Sequence, residues 1–181
     1  MQNIDLFLPE DQLLDSYDIA IVLDGDRRRL TPKTSRIYEA STTQILIDHH
    51  SSTNAQEYDL ALLDSRSAST GEIIYSLLLE WGCSLTKNSA EAIYTGLIFD
   101  TGGFKHSNTT AQSHVLAARL LETGINNSFI SYMVLEQKRS SGLDLLAHCL
   151  QNRLSLANGS VHLALISQQD LNYFSASQGD I

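Results

Sequence analysis

Three short apolar runs, each closed by an aspartate, mark the first third of the chain: Asp18–Asp24 (DIAIVLD), Gln44–Asp48 (QILID) and Leu60–Asp64 (LALLD). Runs of this length predict buried strands. In an open parallel sheet the functional crevice lies beyond the carboxyl ends of the strands, so aspartates at these ends mark where chemistry would collect. Helical periodicity then takes over. Thr70–Trp81 places Ile73, Ile74, Leu77, Leu78 and Trp81 on one side and stops at Gly82. Asn88–Phe99 follows, with Asn88 or Ser89 as N-cap and Glu91 in the first turn. A third helix is expected over Thr110–Glu122, capped from Asn108–Thr109 and ended by Gly124. Ser128–Gln137 and Gly142–Arg153 complete the helical set. After the turn Asn158–Gly159, Ser160–Ile166 (SVHLALI) reads as one more strand. Strands alternating with helices give the α/β class, with a mostly parallel sheet flanked by helices.

Composition narrows the partners. With 12 Lys+Arg against 21 Asp+Glu the formal charge is −9, which argues against a broad grip on long duplex nucleic acid. The 181 residues, 43% of them hydrophobic, suffice for a buried core, and no apolar run is long enough to span a bilayer. The opening MQNIDLFLPEDQ is acidic and does not read as a secretory signal, so a cytoplasmic setting is expected. Cys83 and Cys149 form neither a metal motif nor a disulfide framework and are expected as free thiols.

Three element ends carry candidate chemistry. Asp48-His49-His50, directly after a strand, offers metal ligands and a supporting partner. Asp24-Gly25-Asp26 also follows a strand, and mixed Asp/His ligation favours Mn²⁺ over Ca²⁺. Asp-Gly is equally an ordinary turn dipeptide. Asp100 stands at the end of an apolar helix, before Thr101-Gly102-Gly103-Phe104. There the helix dipole is unfavourable to a carboxylate, so Asp100 wants a cation nearby, although an acidic turn accounts for it as well. Together Asp24, His49 and Asp100 come from three separate elements, which is how a fold assembles a metal cluster. Arg27-Arg28-Arg29, the only basic cluster, is either a solvated turn or a local attractor for phosphate. His106 lies near the candidate site. His114 and His148 read as packing or surface residues, His162 has no assigned role, and Glu80, Glu91 and Glu122 read as helix-surface acids.

The segments VLDGDRRRL, ILIDHH, SASTGEIIYSLL and YTGLIFDTGGFKHSNTT resemble, in order, the second, third and fourth motifs of the DHH phosphoesterase superfamily. The SASTGEI and DTGGFKHSNT segments are most similar to its RecJ-like branch of nanoRNase and pAp phosphatase (NrnA-like) enzymes. The resemblance implies a Mn²⁺- or Mg²⁺-dependent phosphoesterase acting through a metal-activated water. Its substrates would be short oligonucleotides or 3′-phosphoadenosine 5′-phosphate, with no membrane partner and with homodimers allowed. Cyclic-dinucleotide phosphodiesterases and family II-like inorganic pyrophosphatases share the metal motifs, and an inactive binding or structural fragment is the non-enzymatic alternative.

Position by position, the resemblance makes Asp24, His49 and Asp100 metal ligands. His50 faces the phosphate or assists proton transfer, and Asp48 orients a histidine. Arg29 approaches a phosphate. Asn108 is a substrate contact or a helix cap. The family's first motif, a histidine and two aspartates that complete a two-metal site, has no counterpart in this sequence, nor has most of the C-terminal DHHA1 domain. The expected organisation is therefore an incomplete DHH domain over 1–139, a connecting helix over 140–155 and the start of a second α/β domain over 156–181. Such a chain is expected to bind at most one Mn²⁺ firmly, to turn over slowly or not at all, and to leave an apolar strand edge unpaired.

Overall fold

The computed structural model describes residues 7–180. The chain divides into two compact units, Met1–Leu135 and Glu136–Ile181.

In the first unit, β1 (Ile19–Leu23), β2 (Thr43–Asp48) and β3 (Leu60–Leu63) form a parallel sheet in sequence order, as the three apolar runs predict. Ile21 aligns with Ile45, and Ile47 with Leu62. Side chains alternate across a strand, so this register sorts the residues onto two faces. Val22 and Leu46 pack with Tyr38 and Tyr58 into a small core on one face. Tyr38 comes from α1 (Pro32–Ala40), a helix the hydrophobic pattern does not announce because it carries few apolar residues. Its start was nevertheless encoded: Thr31 caps Thr34 N–H and Pro32 opens the first turn. The opposite face carries Ile19, Ile21, Leu23, Leu60 and Leu62, all exposed.

The larger core lies among helices. α2 (Thr70–Glu80), α3 (Lys87–Thr101), α4 (Ala111–Leu121) and α5 (Asn127–Ser131) bury Ala90, Ile93, Leu97, Ile98, Leu116 and Leu120. Two caps differ from expectation. α3 is capped by Thr86, with Ser89 completing a capping box, rather than by Asn88 or Ser89. α4 is capped by Thr110 and Ser113, not from Asn108–Thr109. In each case a threonine three residues before a serine satisfies two N–H groups reciprocally, which a single cap cannot do. The helix expected over Ser128–Gln137 is instead the five-residue α5 followed by a π turn, Tyr132–Glu136.

The second unit contains α6 (Ser140–Gln151), the antiparallel hairpin of β4 (Leu154–Leu156) and β5 (Val161–Leu163), and α7 (Gln168–Phe174). Leu145 and Cys149 of α6 pack on Leu171 of α7. The strand expected over Ser160–Ile166 is only three residues long, and its partner β4 had no sequence signal of its own. Asn158 and Gly159 turn the hairpin with φ of +56° and +84°.

Candidate metal centre

The C-terminal ends of β1 and β2 and the last turn of α3 meet at one place. Asp24 follows β1 with φ +58°, a left-handed conformation that aspartate tolerates better than most residues. Its N–H still donates to Ile47 O at 3.1 Å, so the turn begins immediately beyond the ladder. Its Oδ1 accepts from the Thr70 hydroxyl at 2.9 Å. His49 emerges one residue past β2. Its Nδ1 lies 3.2 Å from Ser67 O. A carbonyl only accepts, so Nδ1 carries the hydrogen and the neutral ring leaves Nε2 bare. That bare nitrogen is 3.5 Å from Asp24 Oδ1 and 3.7 Å from Asp100 Oδ2. Three acceptors facing one another repel unless a proton or a cation lies between them.

Asp100 registers that repulsion. Burial first, and the Asp24 charge second, raise its pKa above 3.8 against the opposing pull of His49 and His50. The candidate ligand atoms of Asp24, His49 and His50 all lie within 4.8 Å of one another. One carboxylate and two imidazoles gathered this closely, with Asp100 reaching the cluster through His49 alone, suit a borderline divalent cation, and the Ser67 carbonyl fixes the His49 tautomer from behind.

Asp48 serves a different purpose. It is fully buried on the same face as Leu46. It accepts from Thr53 Oγ1 at 2.6 Å, His50 Nδ1 at 2.6 Å and His49 N–H at 2.8 Å. Burial pushes its pKa up, yet the hydrogen bonds from Thr53 and His50 prevail and hold it below 3.8. A carboxylate bound to Nδ1 leaves His50 Nε2 as the free nitrogen of that ring.

Beside His50 a cleft of about 210 Å³ is lined by Asp26, Arg28, Arg29, Ser52 and Thr53. Arg27 pairs with Glu57 at 3.2 Å and Arg28 with Asp26 at 2.7 Å. Arg29 lies over Gly25 and has no ion pair among the described residues. Asn108 donates through Nδ2 to Ala68 O at 3.0 Å and Asp100 O at 3.1 Å. His106 Nδ1 reaches the same Asp100 carbonyl at 3.1 Å. His114 stacks on Phe104 away from these ligands, while His148 and His162 belong to the second unit. Cys83 is exposed and Cys149 buried, both free. Reasoning from sequence missed Thr70, Thr53 and Ser67, because a threonine at a helix start ordinarily reads as a cap and a serine carbonyl carries no side-chain signal.

No protein-family model matches the chain. A Bacillus subtilis protein, bifunctional oligoribonuclease and PAP phosphatase NrnA, is 28% identical over 170 residues, covering 92% of this chain and 53% of its own length. The Thermus thermophilus protein of the same name is 36% identical over 81 residues, 45% of this chain and 25% of its own. An exopolyphosphatase-related protein from Bacteroides fragilis superposes with a TM-score of 0.77 at 25% identity, covering 90% of this chain and 48% of that one. These likenesses are consistent with the NrnA-like branch of the DHH phosphoesterase superfamily. The DHH segment is Asp48-His49-His50, and its two rings, with centroids 4.5 Å apart, have different anchors, His49 on the Ser67 carbonyl and His50 on Asp48. The chain spans between a quarter and about half of the length of the curated relatives it matches, with 36%, 53% and 25% in three cases. Among the described residues no helix is long and apolar enough to cross a membrane.

Proposed function

We propose that this chain carries the metal centre of a Mn²⁺-dependent phosphoesterase acting on short oligonucleotides or 3′-phosphoadenosine 5′-phosphate. The observation that supports this most is the convergence of His49 Nε2 with the Asp24 and Asp100 carboxylates at 3.5 and 3.7 Å, each from a different element. Asp24, His49 and Asp100 hold the cation, with His50 alongside. A divalent cation there supplies Lewis acidity toward a phosphoryl oxygen and lowers the pKa of water.

The chain's own residues supply the remainder. His50 is fixed by Asp48 through Nδ1, and in its imidazolium form the Nε2–H can donate to a phosphoryl oxygen or pass its proton to the leaving oxygen. Arg29, which has no ion pair among the described residues and lines the adjacent cleft, meets a phosphate oxygen, and its planar guanidinium suits that geometry. The cleft is too small for a duplex but commensurate with one nucleotide phosphate, consistent with an acidic chain that needs no basic surface.

Release of nucleoside 5′-monophosphate from a dinucleotide, and of inorganic phosphate from 3′-phosphoadenosine 5′-phosphate, tests the reading. Slow turnover that requires Mn²⁺ and is lost in His49→Ala is the expected result. Equal Mn²⁺-dependent release by the wild-type chain and His49→Ala overturns it.

A further inference from the structure

We propose that the turn Ser67–Thr70 is a positioning element for the metal centre, with Thr70 fixing Asp24 and Asn108 fixing the turn. The proposal rests on the metal-centre reading and assigns work to residues that do not themselves ligate.

Three groups on this turn face the site. Ser67 O accepts from His49 Nδ1 at 3.2 Å, Thr70 Oγ1 donates to Asp24 Oδ1 at 2.9 Å, and Ala68 O accepts from Asn108 at 3.0 Å. The turn is held from behind as well. Glu72, itself buried, accepts from Ala68 N–H at 2.9 Å, and Ser67 N–H donates to Asp64 O at 3.1 Å. Ala68 and Ser69 are fully buried and Thr70 nearly so.

Thr70 stands at the first position of α2, where a hydroxyl would ordinarily serve the helix. Ser69 occupies the cap position, and the Thr70 hydroxyl instead reaches 46 residues back in sequence to Asp24. Asp24 needs such a partner. Its side chain is 53% exposed, it projects from a left-handed turn, and it faces both the His49 lone pair and Asp100. Unrestrained, it would swing into water to escape that repulsion. A single hydrogen bond to one oxygen restrains it.

Asn108 completes the arrangement. Its amide donates to Ala68 O and also to the carbonyl of Asp100 at 3.1 Å. One side chain therefore ties the turn that aligns Asp24 and His49 to the residue that supplies the third ligand. The ligands are held near one another before a cation arrives, so less ordering remains to oppose binding.

Titration of the purified chain with Mn²⁺, following the free-ion electron paramagnetic resonance signal, tests the proposal alongside thermal unfolding without metal. The wild-type chain is expected to bind Mn²⁺. Thr70→Val and Asn108→Ala are each expected to weaken binding roughly 10- to 100-fold, the usual effect of removing a group that supports a ligand. Thr70→Ser, which keeps the hydroxyl, is expected to stay within about threefold of wild type, below the roughly 10-fold support effect. Metal-free unfolding midpoints should not follow that order, as they would if the residues only stabilised the fold. No Mn²⁺ binding by the wild-type chain overturns the metal-centre reading itself. Wild-type binding matched by Thr70→Val, or loss in Thr70→Ser equal to that in Thr70→Val, overturns the positioning role alone. If Thr70→Val does not fold, Asn108→Ala decides, and unchanged affinity there overturns the proposal.

Discussion

Asp48 and Asp100 are both aspartates at element ends, yet their surroundings push them in opposite directions. Asp48 is buried among donors, and its folded pKa lies below 3.8 despite the burial. Its contribution to stability is therefore present above the ordinary carboxylate range and is lost as pH falls through the depressed folded value. Thr53→Val removes one donor while keeping the shape. It should cost about 1.5–3 kcal/mol at neutral pH, as hydrogen bonds to charged groups do, with a smaller cost once Asp48 is protonated. Chemical denaturation at two pH values measures the difference. Asp100 behaves in the opposite sense. Its folded pKa lies above 3.8, so the folded state holds that proton more tightly than the unfolded chain. The resulting stability is full below the unfolded value and is lost as pH rises through the raised folded value. Asp100→Asn removes the charge that causes the loss. The metal-free variant should unfold at a higher temperature than wild type at neutral pH while binding Mn²⁺ at least about 10-fold more weakly, the lower end of what losing even a supporting group costs. A midpoint lowered at neutral pH would count against this account.

At the scale of elements, α3 matters most because its last turn delivers Asp100. The helix is set at its start by the Thr86–Ser89 box and at its end by Gly102, with φ +56°. A Cβ on Gly102 would press on the exposed His106 ring, which can swing aside, so it is the left-handed conformation that makes this position need glycine. Gly102→Ala should therefore cost at least about 1–2 kcal/mol for the left-handed backbone alone. It should also displace His106 from the Asp100 carbonyl, visible as weaker Mn²⁺ binding. Thr86→Ala, at the far end of the same helix, should cost about 0.5–2 kcal/mol with no change in metal affinity. The contrast between the two, read by denaturation and metal titration together, separates holding the helix from aiming its last carboxylate.

For the molecule as a whole, the uneven covering of the sheet is the dominant feature. One face is packed by Tyr38 and Tyr58, while Ile19, Ile21, Leu23, Leu60 and Leu62 on the other are 39–59% exposed. β1 is an edge strand, and an apolar edge with an apolar face is a template for self-association. Light scattering of the purified chain should rise with concentration and respond little to salt, and Ile21→Lys should reduce it. Scattering that stays flat over the whole concentration range would contradict this.

The three strands were legible because each is an apolar run closed by an acid, and a half-buried parallel strand permits little else. The positions of Asp24, His49 and Asp100 were legible for the same reason: strand and helix ends are where such a fold gathers polar groups. α1 was not, because its few apolar residues give no periodicity and only Thr31-Pro32 marks its start. β4 and β5 were obscured by their length, three residues each, which no periodicity can distinguish from a loop. Sequence alone thus determined the fold class and marked Asp24, His49 and Asp100 as candidates at element ends. Tertiary structure alone decided how they are held. The Thr70 hydroxyl on Asp24 and the Asn108 amide on Ala68 and Asp100 join positions 46, 40 and 8 residues apart. A side chain's neighbours at such separations depend on packing, which local patterns along the chain do not encode.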